Sequence, residues 1–286
     1  MKRIPYALPA AALIALLSPA SAGITFGPVR GQAGESIRLV THSETTDGTI
    51  QRTNYGSATK SNGTISITRD RDLVWTFRDP EANGTKRGMV RVPLITTTTK
   101  INIDGKEENT TDQSPLTGKM FAMSKSPTGD WTFQLDGSVP LHRIQFEIDE
   151  LKVYLKRDWY PKREVNLGDS WEFDPIWIKN IIHRDLAKAQ TIATMRLRQI
   201  RRMKDRQLAV IDISISSTGG NFRADGSESS GSVELKGEVI VNLDTMLDEF
   251  LELKGTITTS ASPSATESTT VTLPIHLTAT KSFVRE

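Results

Sequence analysis

Leu141-His-Arg-Ile144-Gln-Phe146-Glu-Ile148-Asp-Glu-Leu151-Lys-Val153-Tyr-Leu155-Lys-Arg-Asp-Trp159-Tyr-Pro161-Lys-Arg-Glu-Val165-Asn-Leu-Gly168-Asp-Ser-Trp171-Glu-Phe173 is the stretch on which the fold turns. From Leu141 to Trp159 it contains no Gly, Pro or Asn. Ile144, Ile148, Leu151 and Leu155 fall at i, i+4, i+7 and i+11, one stripe of a 3.6-residue helix. A strand reading competes, since Ile144, Phe146 and Ile148, and then Leu151, Val153 and Leu155, each alternate. That reading needs Asp149-Glu150 to make a two-residue turn without the Gly or Asn such turns prefer. The helix is preferred over about 142–159, and Pro161 prevents its continuation. Beyond it, Gly168-Asp169 reads as a turn that starts a strand, with Trp171 and Phe173 alternating into a core.

Both flanks read as strands. Upstream, Asp47-Gly48, Asn62-Gly63, Asn83-Gly84 and Asp104-Gly105 are hairpin signals, because their residues tolerate positive φ. Around them lie β-forming runs at Ser36–Thr45, Thr64–Thr68, Leu73–Arg78 and Met89–Ile103. Leu116–Ser124 and Trp131–Leu135 complete that half as an antiparallel meander. Downstream, Leu186, Ala189, Ala193, Leu197 and Ile200 fit a helix stripe, whereas Ala193, Met195 and Leu197 alternate as a strand. Leu208–Ser216 is clear strand, and Met203–Arg206 would join the two as a hairpin, which favours strand. Ser216–Ser232 is expected as a polar loop. Ser232–Leu243 and Phe250–Ser260 read as a further pair, Ala261–Glu267 as a loop, and Ser268–Ala279 as a last strand. Pro274 should confine that last strand to an edge or a bulge. The expected fold is mainly β (α+β): a strongly curved antiparallel sheet or half-open β-barrel with one central helix. It forms a single domain over 23–286, with halves at about 23–140 and 161–286.

On Pro161, Val165, Gly168-Asp169-Ser170-Trp171 and Phe173, the chain resembles a group of exported, β-rich bacterial proteins of unknown function. Gly237–Gly255 looks like their closing hairpin. At fold level such chains resemble the half-open β-barrels of lipoprotein carriers, in which a helix plugs the concave face. The resemblance implies an apolar groove and no particular activity.

Lys2 and Arg3 precede an apolar run from Ala7 to Leu17, followed by Pro19 and Ala20-Ser21-Ala22. This is the pattern of a cleaved export signal over residues 1–22, with an apolar run shorter than the roughly 20 residues a spanning helix needs. Residue 23 is Gly, so no lipobox cysteine follows, and the periplasm or cell surface is the expected location. Without Lys2 and Arg3 the chain carries 34 basic and 34 acidic residues, which argues against a nucleic-acid partner. Cysteine is absent, which excludes disulfides, thiolate metal sites and a cysteine nucleophile.

The chemistry-bearing motifs are few. His183-Arg184-Asp185-Leu186 matches the start of a kinase catalytic loop, but the metal-binding Asn, a Gly-rich loop and a D-F-G segment are all missing. The four histidines are dispersed, with no metal-ligand spacing, and no serine elbow occurs. Neither an enzymatic activity, a metal nor a cofactor is expected. Two stretches remain as candidates for ligand or partner binding. Trp177, Ile178, Ile181 and Ile182 are crowded apolar residues without a single stripe, suited to lid an apolar groove or to meet another protein. Arg196, Arg198, Arg201 and Arg202 form a basic hairpin suited to an anionic surface. These point to a non-catalytic envelope protein that binds a lipid or other apolar ligand, or an envelope protein. An assembly or adhesion component is the alternative, and a hydrolase without a recognisable motif ranks third.

Overall fold

In a computed structural model, the chain is described for residues 23–30, 34–77, 86–127, 129, 131–135, 141–175, 190–222, 228–264 and 266–284. The elements run β1 (Ser36–Asn54), β2 (Thr59–Phe77), β3 (Lys86–Ile103), β4 (Lys106–Gln113), β5 (Met120–Lys125) and β6 (Trp131–Gln134). A helix α1 (Leu141–Lys156) follows, then β7 (Ser170–Glu172), β8 (Gln190–Met203), β9 (Arg206–Phe222), β10 (Glu228–Asn242), β11 (Leu247–Ser264) and β12 (Glu267–Val284). All twelve strands lie in one antiparallel sheet, ordered β6-β5-β3-β2-β1-β12-β11-β10-β9-β8-β7, with β4 added to β3. The first and last strands therefore pair in the middle, from Ser36 opposite Val284 onward. The outer strands β6 and β7 do not pair among the described residues, so the sheet is not closed.

One face of the sheet carries the core. Ile211, Ile213 and Ile215 of β9 point inward, while Asp212, Ser214 and Ser216 point outward. The register carries this alternation across the sheet, setting Leu197 opposite Ile211, Ile211 opposite Val239, and Val239 opposite Leu251. Two apolar clusters share the face. The first joins β1, β2, β3 and β5 to α1 through Leu39, Leu73, Val90, Phe121, Ile144, Ile148 and Leu151. The second joins β8–β11 to the segment after the helix, where Tyr160, Val165, Trp171 and Phe173 are buried. Ile24 and Val165 exchange backbone hydrogen bonds at 2.8 and 2.9 Å, which pins the N-terminal segment beneath this cluster. Close approach at Gly237 lets β10 and β11 draw together, since a Cβ there would lie 1.8 Å from the Glu252 carbonyl oxygen.

Several sequence expectations are corrected. Asp47-Gly48 is a bulge inside β1, with Asp47 at φ 58° and a register break between Thr45 and Gly48. Asn62-Gly63 lies within β2, where Gly63 pairs with both Ile50 and Ile103. Ladder pairing on both sides overrides the local turn preference at these two sites. Asn83-Gly84 falls outside the described residues. Asp104-Gly105 does turn the chain, with both residues at positive φ. The polar segments 216–222, 228–232 and 261–264 are strand, because β9–β11 run on past the core with Ser and Thr facing water. Pro274 stands in a central strand, at a bulge rather than an edge, the second of the two expected placements. It sits where β1 bulges between Glu44 and Thr49, so its missing N–H falls where the β1 ladder is already interrupted.

Candidate functional site

Where α1 ends, Arg157 takes a left-handed conformation at φ 53° and turns the chain toward the sheet. Its guanidinium grips Asp248 of β11, donating from Nη2 to Oδ1 at 2.8 Å and from Nε to Oδ2 at 3.3 Å. The Tyr160 hydroxyl donates to Asp248 Oδ1 at 2.8 Å, and Lys281 Nζ to Oδ2 at 3.2 Å. Asp248 faces inward because a bulge leaves Glu249 unpaired between Ile240 and Val241. Burial pushes the Asp248 carboxyl up, but Lys281 and Arg157 together outweigh it and hold the group below its ordinary value. The same carboxylate does not rescue Lys281, whose ammonium is held below its usual range by burial and by the neighbouring Arg157 charge. Burial also lifts the Tyr160 phenol well above its ordinary value. Phe26 stacks on Tyr160 at 4.6 Å, and the Trp171 indole N–H donates to the Trp159 carbonyl at 2.9 Å. This knot fastens the helix and the segment behind it to the two strands at the centre of the sheet.

Beyond the cluster under α1, the core-bearing face carries an apolar strip across six strands. Ile101 of β3 pairs with Ile65 of β2, Leu273 of β12 with Ile257 of β11, and Ile257 with Val233 of β10. The bulged Gly48 of β1 bridges the two sets. A Cβ built there would meet Ile65 Cγ2 at 2.9 Å and Leu273 Cδ2 at 3.1 Å, so these side chains close over it. Val233 and Ile257 are buried, whereas Ile101 and Leu273 are half-exposed. Under α1 itself the space is small. A small depression with about 10 Å³ of free space, roughly enough for one water, is lined by Arg71, Leu73, Val92, Ile95, Leu116, Glu147 and Leu151.

The basic hairpin divides into two groups. Arg198 is neutralised on the outer face by Asp212 at 3.1 Å and by Glu238, and Arg206 by Glu249 at 2.9 Å. Arg196, Arg201 and Arg202 are exposed and have no ion pair among the described residues. Trp177, Ile178, Ile181 and Ile182 lie outside the described residues. The GDSW turn is a structural joint: Gly168, at φ 90°, donates its N–H to Leu197, and Leu197 donates back to Asp169.

Sequence reasoning missed the Arg157–Asp248–Lys281 knot. One signal was available, since Lys281 interrupts the inward series Leu277, Ala279 and Phe283. It also missed the outer-face cluster at the β1–β12 seam. There His276 Nε2 lies 2.9 Å from Glu252 and its Nδ1 3.4 Å from Glu44, while His42 Nδ1 lies 2.7 Å from Asp70. Among the described residues no group of three or more His, Asp or Glu side chains is placed to hold a metal. No described helix is long and apolar enough to cross a membrane, a statement that does not bear on β-barrels.

No protein-family model and no curated protein matches the chain. Among solved structures, the Pseudomonas aeruginosa protein OccK7 (OpdD) aligns over 88% of this chain and 100% of its own, at 6% identity and a TM-score of 0.30. The COG4313 outer membrane channel from Pseudomonas putida F1 aligns over 90% and 97%, at 8% identity and a TM-score of 0.21. The binding domain of botulinum neurotoxin serotype C1 aligns over 88% and 83%, at 11% identity and a TM-score of 0.15. Scores this low reflect shared β content and carry no argument about function.

Proposed function

We propose that this is an exported protein of the cell envelope that acts by binding rather than by catalysis. Its ligand is an apolar or amphipathic molecule held on the core-bearing face of the sheet. The observation that carries this reading is the strip Ile101–Ile65–Gly48–Leu273–Ile257–Val233. The opposite face of the same strands is Thr-rich and charged, as at Thr64, Thr96, Lys100, Thr256 and Thr272. An apolar strip that reaches half-exposed positions on a sheet with one wetted face suits a ligand with a hydrocarbon part. The export-signal pattern read in residues 1–22 supports this reading, since lipids of the envelope cross an aqueous space.

The test is native mass spectrometry of the purified protein, followed by solvent extraction. A co-purifying lipid or fatty acid is expected. Ile65→Asp and Leu273→Glu, on adjoining strands over Gly48, should lose it while keeping the β-sheet circular dichroism. A wild-type protein that is free of ligand and also fails to take up a fluorescent fatty acid would remove the reading.

A further inference from the structure

The sheet ends in two edges of opposite charge, and they match each other. On one side β4 carries Lys106-Glu107-Glu108-Asn109-Thr110-Thr111-Asp112-Gln113, and all eight residues are exposed. It pairs only with β3, so its other edge is unpaired among the described residues. On the far side, β7 covers β8 only at Thr194–Arg196, and the GDSW turn adds hydrogen bonds at Leu197. From Gln199 to Met203 the outer edge of β8 has no strand partner among the described residues. That open run holds Arg201 and Arg202, both exposed and without an ion pair among the described residues. Among the described residues neither Glu107 nor Glu108 is in an ion pair, and Glu107 accepts a hydrogen bond from Asn102 at 3.4 Å.

We infer that these edges dock onto each other between copies of this chain, β4 of one copy adding to β8 of the next. Adjacent residues on a strand point to opposite faces. Arg201 and Arg202 therefore offer one guanidinium to each face, and Glu107 and Glu108 offer one carboxylate to each face. A single register sets both carboxylates opposite both guanidiniums, in either strand direction. Backbone hydrogen bonds supply the attachment and the paired charges select the register, as in other strand additions. The two edges are different surfaces, so the contact is head-to-tail and can propagate into an open chain of copies. This inference does not rest on the ligand proposed for the core-bearing face, although the apolar strip there begins at Ile101, which pairs with Glu108 of β4.

Sedimentation velocity of the mature chain at concentrations up to about 100 µM, near the weak end of specific protein association, tests it. Self-association is expected in about 50 mM salt, weakening at least roughly tenfold in about 500 mM salt, where the Debye length is only a few Å. Arg201→Glu with Arg202→Glu should be monomeric, and so should Glu107→Arg with Glu108→Arg. Mixing the two reversed variants should restore association, which also shows that both are folded. A wild-type chain that stays monomeric in low salt overturns the inference. So does association that neither reversal changes, or a monomer that floats with phosphatidylglycerol vesicles through Arg201 and Arg202.

Discussion

Arg157 and Asp248 are 91 positions apart, yet they meet through two hydrogen bonds in the interior, the shorter at 2.8 Å. That contact fixes the end of α1 to β11, and its removal strands charge. Asp248→Ala leaves two buried cations without their carboxylate and should cost about 3–5 kcal/mol in urea unfolding at pH 7. The pH dependence follows from the depressed carboxyl of Asp248. A carboxyl lowered in the folded state stabilises fully above its unfolded value near about 4, and the benefit disappears as pH falls through the lower folded value. The stability gap between wild type and Asp248→Asn should therefore shrink between pH 5 and pH 2, on the order of the carboxyl range.

Lys281 behaves differently. Burial depresses its ammonium despite the nearby carboxylate, so its charge is a cost in the folded state. Lys281→Met keeps the stem and removes the charge, leaving Asp248 with Arg157 and Tyr160. We expect stability unchanged or raised by about 1 kcal/mol, measured by urea unfolding at pH 7. A loss as large as that of Asp248→Ala would contradict this division of roles.

At Gly168 the backbone stands at φ 90°, a region that side chains rarely adopt. Gly168→Ala should lower stability by about 1–3 kcal/mol through backbone strain alone, since open space surrounds the position. Gly237→Ala fails for the other reason, contact with the Glu252 carbonyl. It should lower the melting temperature and weaken amide-exchange protection in β10 and β11 first.

On the outer face, the hydrogen bond that His42 donates to Asp70 outweighs burial and raises the His42 pKa. A raised histidine stabilises fully below its unfolded value near about 6.5, and that benefit is lost as pH rises through the folded value. An NMR titration should place the His42 midpoint above 6.5, and Asp70→Asn should bring it down. The group is largely exposed, so the effect on stability should not exceed about 1 kcal/mol.

Alternation and hairpin chemistry made much of the strand content legible. Ile211, Ile213 and Ile215 announce β9, and Asp104-Gly105 turns where its residues require. The chain failed to disclose its strand lengths. β1 and β2 each span 19 residues, about 60 Å at roughly 3.3 Å per residue. Nothing local distinguishes a Ser-Gly loop from a Ser-Gly strand held between two neighbours. The all-polar β4 was invisible for the same reason, and Pro274 left edge and bulge open because the bulge that tolerates it lies on another strand. As for the site, Arg201 and Arg202 were visible as charge, but their position on an open edge was not. The strip over Gly48 required the register across β2, β1 and β12, which no single segment encodes.

The pairing of β1 with β12 also sets an order of events. The middle of the sheet joins residues near the two ends of the described chain, so its ladder closes only after the last strand has been made. Until then β1 and β11 each present a long bare edge, with Ile37 and Leu39 on one and Leu251 and Leu253 on the other. Contacts this distant in sequence slow folding and prolong the interval in which such edges can meet the wrong partner. A fragment ending before β12 should aggregate rather than fold, and a holdase that shields β1 during synthesis or transit should raise the yield of the intact chain.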